Sequence, residues 1–267
     1  MNISRSELME QLGLEAGARL KDFFGKGIEI KKKGVLDLVT LADETAEKLV
    51  VDGILAHFPQ DAILAEEGGA REGSNAYQWI IDPLDGTTNF AHSFPHFSVS
   101  IALARDNQII AGLVYDPMKN EMFKAQLGQG ATLNGNPISV GIKRDLGESL
   151  GVTGFSYDRR ERMDFLLDRV RMILNNCQGL RRLGSAALDL AYIASGRFDV
   201  FVEDGLNAWD MAAGALLVTE AGGSISMLNG DHWNVHGHEV LACNANLLPQ
   251  ALQSLISKEQ EPGDRPC

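Results

Sequence analysis

Trp79-Ile80-Ile81-Asp82-Pro83-Leu84-Asp85-Gly86-Thr87-Thr88-Asn89-Phe90 sets two carboxylates at the point where an apolar strand stops. Trp-Ile-Ile reads as a buried strand. Pro83 withholds an N–H and pushes Asp82 into an extended conformation, so pairing is predicted to end there, with Asp82 and Asp85 at the strand's carboxyl end. A glycine and small polar residues follow, whose backbone N–H groups can open a helix or turn towards an anion. Hard oxygen ligands beside free amide donors suit Mg²⁺ with phosphate, since Mg²⁺ takes one or two carboxylates and leaves its other positions to water and phosphate oxygens. Taken alone, the Asp-Gly step has an ordinary reading as a tight turn after a strand.

Upstream, Ala62-Ile63-Leu64-Ala65 is a second short apolar strand that runs straight into Glu66-Glu67-Gly68-Gly69. Two glutamates before a Gly-Gly turn are usually solvated, but here the spacing to Asp82 lets two adjacent strands place their acidic ends side by side. Before them, Leu8, Leu12, Ala16 and Leu20 recur at helical spacing over 4–24, with Ser4 or Ser6 as cap and Gly25 and Gly27 as terminators. Residues 28–32 alternate as a strand. A second helix is predicted over 40–57, with Leu41, Thr45, Leu49 and Ile54 inward and Asp43, Glu44 and Glu47 outward. Acids in its first turn favour the helix dipole, which gives Asp43 a structural explanation.

Downstream, 97–104, 108–114 and 121–125 read as successive antiparallel strands, punctuated by Asp106-Asn107 and Asp116-Pro117. The first half therefore reads as α+β, two helices against a sheet of hairpins. In the second half, strands at 150–153, 180–183 and 198–202 alternate with helices at 159–175 and 185–195, which suggests a second sheet. Asn207-Ala208-Trp209-Asp210 opens a helix ending at Gly222-Gly223, with Asp210 where an acid completes a capping-box-like arrangement. Strands at 224–227 and 239–242 and a helix at 247–256 finish the sheet. The expected division is one domain over 1–256, with halves of about 1–145 and 146–256, and a frayed tail over 257–267.

Composition bounds the chemistry. The 267 residues are 45% hydrophobic, enough for a substantial core. Net charge is −12, with no Lys/Arg run longer than Lys31-Lys32-Lys33, which disfavours direct nucleic-acid binding. An anionic substrate is equally unwelcome unless divalent cations invert the local field. Cys177, Cys243 and Cys267 are odd in number and lack metal spacing, so neither a disulfide framework nor a thiolate zinc site is indicated. His232, His236 and His238 cluster around Trp233 without a usual zinc spacing, and His92 and His96 read as packing or substrate-rim residues. No signal core or run of eighteen apolar residues is present, and the expectation is a soluble cytoplasmic protein without a membrane partner.

Three acidic elements thus stand in order: Glu66-Glu67, Asp82 to Phe90, and Trp209-Asp210 with Ala212-Ala213-Gly214 and Glu220-Ala221-Gly222-Gly223. With Asp37-Leu38-Val39-Thr40 and Asp43, they resemble the inositol monophosphatase family over about residues 5–256. The resemblance implies a layered αβαβα sandwich with two β-sheets, Mg²⁺-dependent and lithium-sensitive hydrolysis of a small phosphorylated polyol, and a homodimer. It further implies Glu66, Asp82, the Leu84 carbonyl, Asp85 and Asp210 as ligands for two or three Mg²⁺ ions. Thr87 paired with Asp43 resembles the family's water-activating dyad, with Glu66 also holding that water. The Gly86 and Thr87 N–H groups would take phosphate oxygens. By the same resemblance, Gly184, Ser185 and Ala186, with Glu203 and Asp210, occupy positions that in the family contact ring hydroxyls, and one of Lys31, Lys32 and Lys33 aligns with a family lysine.

Thr88-Asn89-Phe90 favours the inositol-phosphate branch over relatives acting on histidinol phosphate, 3′-phosphoadenosine 5′-phosphate or fructose 1,6-bisphosphate. A different class of function is a regulatory partner of transcription machinery, with which bacterial relatives are associated.

Overall fold

A computed structural model of the chain describes residues 3–26, 30–32 and 38–255. Helix α1 (Arg5–Phe23) starts on a capping box, in which Ser4 Oγ accepts from the Glu7 N–H and Glu7 accepts from the Ser4 N–H. Short antiparallel strands β1 (Ile30–Lys32) and β2 (Leu38–Thr40) lead into α2 (Leu41–His57). Next come β3 (Ala62–Ala65), β4 (Gly69–Arg71), β5 (Tyr77–Asp85) and the short helix α3 (Thr87–Ala91). Strands β6 (Ser98–Arg105), β7 (Gln108–Asp116), β8 (Glu121–Gln126), β9 (Gly130–Leu133) and β10 (Asn136–Ile138) complete an eight-stranded sheet of order β10-β9-β8-β7-β6-β5-β3-β4. Within it β3 and β5 are parallel, so their carboxyl ends meet. Ala65 lies opposite Ile81, and the Glu66 N–H reaches Ile81 O at 3.2 Å.

The second half contributes β11 (Leu150–Thr153), α4 (Met163–Asn176), β12 (Gly179–Arg181), α5 (Ala186–Ala194), β13 (Val200–Asp204), α6 (Ala208–Glu220), β14 (Gly223–Ser226), β15 (Glu239–Asn244) and α7 (Leu248–Ser254). Its sheet has the order β12-β11-β13-β15-β14. Side chains alternate across each strand, so successive residues of β5 serve different layers. Trp79 and Ile81 pack with Leu8, Leu12, Leu20, Val50 and Ile54 of α1 and α2, whereas Ile80 packs towards α5 and α6. Beyond the second sheet, Ile173 and Ala251 of α4 and α7 meet Val200, Val202 and Leu241. These are the five layers of an αβαβα sandwich. Helix α5 is apolar nearly all round because it lies between two sheets, and every residue of Ala186–Ala194 is buried.

Four expectations are corrected. The inward face of α2 is Ala42, Asp43, Ala46, Glu47, Val50 and Ile54, while Leu41 is 50% exposed. Buried acids broke the apolar periodicity that would have shown this stripe. Pairing does not stop at Pro83: β5 continues to Asp85, with Asp82 opposite Ser100, Asp85 opposite Ser98 and a register shift between. Pro83 has no N–H to give, and the Leu84 N–H turns to Asp82 Oδ1 at 3.0 Å instead of the ladder. Strand β13 lies two residues later than predicted, which brings Glu203 and Asp204 into it. Helix α4 starts at Met163 because residues 156–161 are spent on turns and Arg162 is held by Asp204 at 2.7 Å. Asp37, the side chains of Lys31 to Lys33, Cys267 and the tail over 257–267 lie outside the described residues.

One buried node fixes the start of β5. Asp61 accepts from Arg5 Nε and Nη2, both at 2.8 Å, from Asn75 Nδ2 at 2.7 Å and from Trp79 Nε1 at 2.9 Å. Arg5 is also stacked between the Phe58 and Tyr77 rings. Burial pushes the Asp61 carboxyl upward, but these donors outweigh it and hold it below the ordinary carboxylate range. Asp61→Ala strands a partly buried guanidinium and a buried indole N–H. It is expected to lower unfolding free energy by about 3 kcal/mol in urea titration, and a loss under about 1 kcal/mol would remove the node's structural role.

Candidate active site

The topology delivers carboxylates from three places. Asp82 and Asp85 come from the bulged end of β5, Glu66 from the end of β3, and Asp210 from the first turn of α6. One oxygen from each of Asp82, Asp85 and Asp210 lies within 4.8 Å of the others. Glu66 stands near enough to this triplet for its charge to raise the Asp82 carboxyl. Asp210 is aimed by its helix, since the Asn207 N–H donates to Asp210 Oδ2 at 2.6 Å within the capping box.

Asp85 is held by the opening of α5. Ser185 Oγ donates to Oδ2 at 2.5 Å, the Ala187 N–H to Oδ2 at 2.9 Å and the Ala186 N–H to Oδ1 at 3.2 Å. Ser98 Oγ adds a bond at 3.4 Å. The Ser185 and Ala186 donors therefore serve the carboxylate in this structure. Gly184, in a left-handed conformation, brings this segment against the other half: a Cβ there would lie 2.5 Å from Arg182 Nη1 and 3.2 Å from Asn89 Nδ2. Asn89 clamps the junction, donating to Leu183 O and His96 O, each at 2.8 Å. Gly86 has φ 100°, and a Cβ there would sit 3.2 Å from both Gly184 O and His96 O. Any larger residue would push the two segments apart.

Beside the triplet, Thr87 Oγ1 lies 3.0 Å from Asp43 Oδ1 and 3.0 Å from Leu84 O. One hydroxyl proton cannot serve both acceptors. An ionised Asp43 is the stronger one, which leaves the Leu84 carbonyl open. Thr40 holds the other oxygen of Asp43, its Oγ1 at 2.5 Å and its N–H at 2.8 Å. Asp43 is fully buried, and burial raises its carboxyl to about 6 despite these donors.

The electrostatics of the cluster are those of a cation site. Burial raises Asp82 well above its ordinary value, with Glu66, Asp85 and Asp210 adding to the effect. Asp85 is raised by burial against the pull of Ser185, Ala187 and Ala186. Asp210 is raised to about 8, first by burial and then by Asp85 and Glu203. Glu203 is also raised to about 8 by burial, although Arg182 pulls it down. Like-charged carboxylates at this separation cannot all ionise without a counter-charge, so the donor set fits a divalent cation with hard oxygen preference.

Thr40 is readable from sequence only as part of the Asp37-Leu38-Val39-Thr40 motif, without a role, whereas Ser98 and Asp189 are missed as members of this region. Asp189 is buried, raised well above its ordinary value by burial and by Glu203 and Asp85, and its Oδ1 has no hydrogen-bond partner among the described residues. Polarity within the apolar run of α5 was the available signal. The histidines do not converge on the triplet: His238 Nδ1 lies 2.7 Å from Leu206 O, and His232 bridges to Ser226. His96 is buried, and burial followed by Lys119 lowers it to about 4. Among the described residues, no helix is long and apolar enough to cross a membrane.

Comparison with known proteins agrees with this architecture. The chain is 44% identical over 229 residues to the Nus factor SuhB of Escherichia coli, covering 85% of this chain and 86% of that protein. It is 42% identical over 256 residues to an inositol-1-monophosphatase of Synechocystis sp., covering 95% and 89% respectively. Among solved structures, the extragenic suppressor protein SuhB of Bartonella henselae superposes with a TM-score of 0.91 at 36% identity, over 96% of this chain and 99% of that one. The inositol monophosphatase family matches residues 4–262. With the fold, the acidic triplet and these likenesses in agreement, the chain belongs to the inositol monophosphatase family.

Proposed function

We propose that the protein is a Mg²⁺-dependent phosphomonoesterase that hydrolyses inositol monophosphate to inositol and phosphate. The observation that carries this reading is the triplet Asp82, Asp85 and Asp210, its ligand atoms within 4.8 Å of one another and bordered by a threonine hydroxyl paired with a buried aspartate. Asp82, Asp85, Asp210, Glu66 and the Leu84 carbonyl would hold the metal. When bound, Mg²⁺ supplies charge neutralisation for the phosphate and lowers the pKa of coordinated water.

The chain's own residues supply positioning. Asp43 accepts from Thr87, which fixes the direction of the hydroxyl oxygen's remaining lone pairs and lets that oxygen accept from an attacking water. Glu66 holds the same water from the β3 side. The Gly86 and Thr87 N–H groups take phosphate oxygens at the opening of α3. On the leaving-group side stand Gly184, Ser185, Ala186 and Glu203, where Glu203, raised to about 8, can donate to or accept from a polyol hydroxyl near neutral pH. No side-chain nucleophile is required, because phosphoryl transfer rests mainly on positioning and charge stabilisation.

The test is a hydrolysis panel of inositol 1-phosphate, histidinol phosphate, fructose 1,6-bisphosphate and 3′-phosphoadenosine 5′-phosphate, with and without Mg²⁺. Expected are activity only with Mg²⁺ and the highest kcat/KM on inositol 1-phosphate. A preference above about tenfold for another substrate overturns the substrate assignment. A second reading, action as a protein partner in transcription, draws on the Nus factor name of the Escherichia coli relative. Retention of RNA polymerase by an inactive variant, with growth unaffected, would favour it.

A further inference from the structure

We infer that Glu47 is a positioning residue that sets the direction of Glu66, and so tunes metal affinity from outside the ligand set. The inference rests on the proposal that Glu66 is a metal ligand. Ala65 pairs with Gly69, so Glu66, Glu67 and Gly68 form the three-residue connection between β3 and β4. On one side of Glu66 its own N–H is fixed to Ile81 O at 3.2 Å. On the other side the Glu67 N–H donates to Glu47 Oε2 at 2.8 Å. The first bond fixes the peptide before Glu66 and the second fixes the peptide after it. Together they fix both backbone dihedrals of Glu66 and hence the direction in which its side chain leaves the chain.

Glu47 is only 6% exposed. Its other carboxylate oxygen lies under the turn, where a Cβ on Gly68 would come within 2.8 Å of Oε1, so the turn sits directly on the carboxylate. A charge-assisted bond to a backbone N–H in such a place is stronger than a neutral one. Glu47 also stands one helical turn after Asp43 on the same face of α2. A single rigid helix therefore places both the acceptor of the Thr87 hydroxyl and the support of the Glu66 turn, which locks the water-activating side to the ligand side. Outer supports of this kind typically account for ten- to hundredfold in metal affinity.

The test is Mn²⁺ binding by calorimetry on the full-length, substrate-free protein, at a temperature where each variant is folded by circular dichroism. Glu66→Gln is the reference for the ligand reading. Glu47→Ala is expected to raise the Mn²⁺ Kd about tenfold or more. Glu47→Gln, which keeps an acceptor oxygen at the same reach, is expected to stay within a few-fold of the native protein. Should Glu47→Ala fail to fold, Glu47→Asp makes the same test, since it keeps the charge but withdraws it from the Glu67 N–H, and weaker binding is again expected. If Glu66→Gln weakens binding while Glu47→Ala or Glu47→Asp leaves it unchanged and lowers only Tm, the positioning role is overturned. If Glu66→Gln leaves Mn²⁺ binding unchanged, the ligand reading of Glu66 fails and this inference with it.

Discussion

Asp82→Asn is expected to lower kcat on the preferred phosphomonoester by on the order of a thousandfold at saturating Mg²⁺, while the metal-free protein becomes more stable. Among the described residues the Asp82 carboxyl accepts from the Leu84 N–H, a bond that an amide oxygen preserves, so the bulge at the end of β5 stays intact. What the substitution removes is one negative charge from a buried set in which Glu66, Asp85 and Asp210 all push on Asp82. Without metal that charge costs stability. Relieving it is worth of order 1–2 kcal/mol, the usual size of a function-for-stability exchange. Single-turnover hydrolysis and urea unfolding in a chelator check both halves. Near-native turnover removes Asp82 from the ligand set, and loss of activity together with loss of stability assigns it an ordinary structural role.

The site was legible where its chemistry is local in the chain. Asp82, Pro83, Asp85 and Gly86 lie within five residues, and the end of an apolar run followed by proline marks their place. Asn207 and Asp210 are likewise readable as a cap because both partners belong to one helical turn. What failed was long-range. The buried face of α2 is misassigned from sequence because Leu41 and Leu49 look like core and Asp43 and Glu47 look like surface. Beyond the local Thr40 cap on Asp43, the partners that help to justify burying those acids include Thr87 and the Glu67 N–H, 44 and 20 residues away. Donors to Asp85 arrive from about 100 residues downstream, so nothing near Ser185 announces their target. The two-sheet architecture followed from alternation of elements, whereas the parallel pairing of β3 and β5 that brings Glu66 beside Asp82 depended on spacing alone.

Mg²⁺ is expected to raise Tm, and to raise it more at alkaline than at acid pH. The sign follows from the raised carboxyls. Asp43 lies at about 6 and Asp210 and Glu203 at about 8, with Asp82 and Asp85 also above their ordinary values. In the unfolded chain such groups titrate near 4. The native state therefore binds more protons than the unfolded state between about pH 4 and about pH 8, and metal-free stability falls across that window as pH rises. Ionised carboxylates are the metal-binding form, so cation binding grows over the same range and reverses the loss. At a concentration one hundred times Kd the gain is about 2.7 kcal/mol, or roughly 5–10 °C for a chain of this size. Thermal unfolding at about pH 6 and about pH 8.5, in chelator and in saturating Mg²⁺, measures both trends. A Mg²⁺ shift that is absent, or that shrinks with rising pH, would mean that the buried carboxylates are satisfied by protons alone. The triplet would then be a structural cluster whose charges never meet a cation, and neither Asp82 nor Asp210 would have a reason to stand where the two halves of the chain converge.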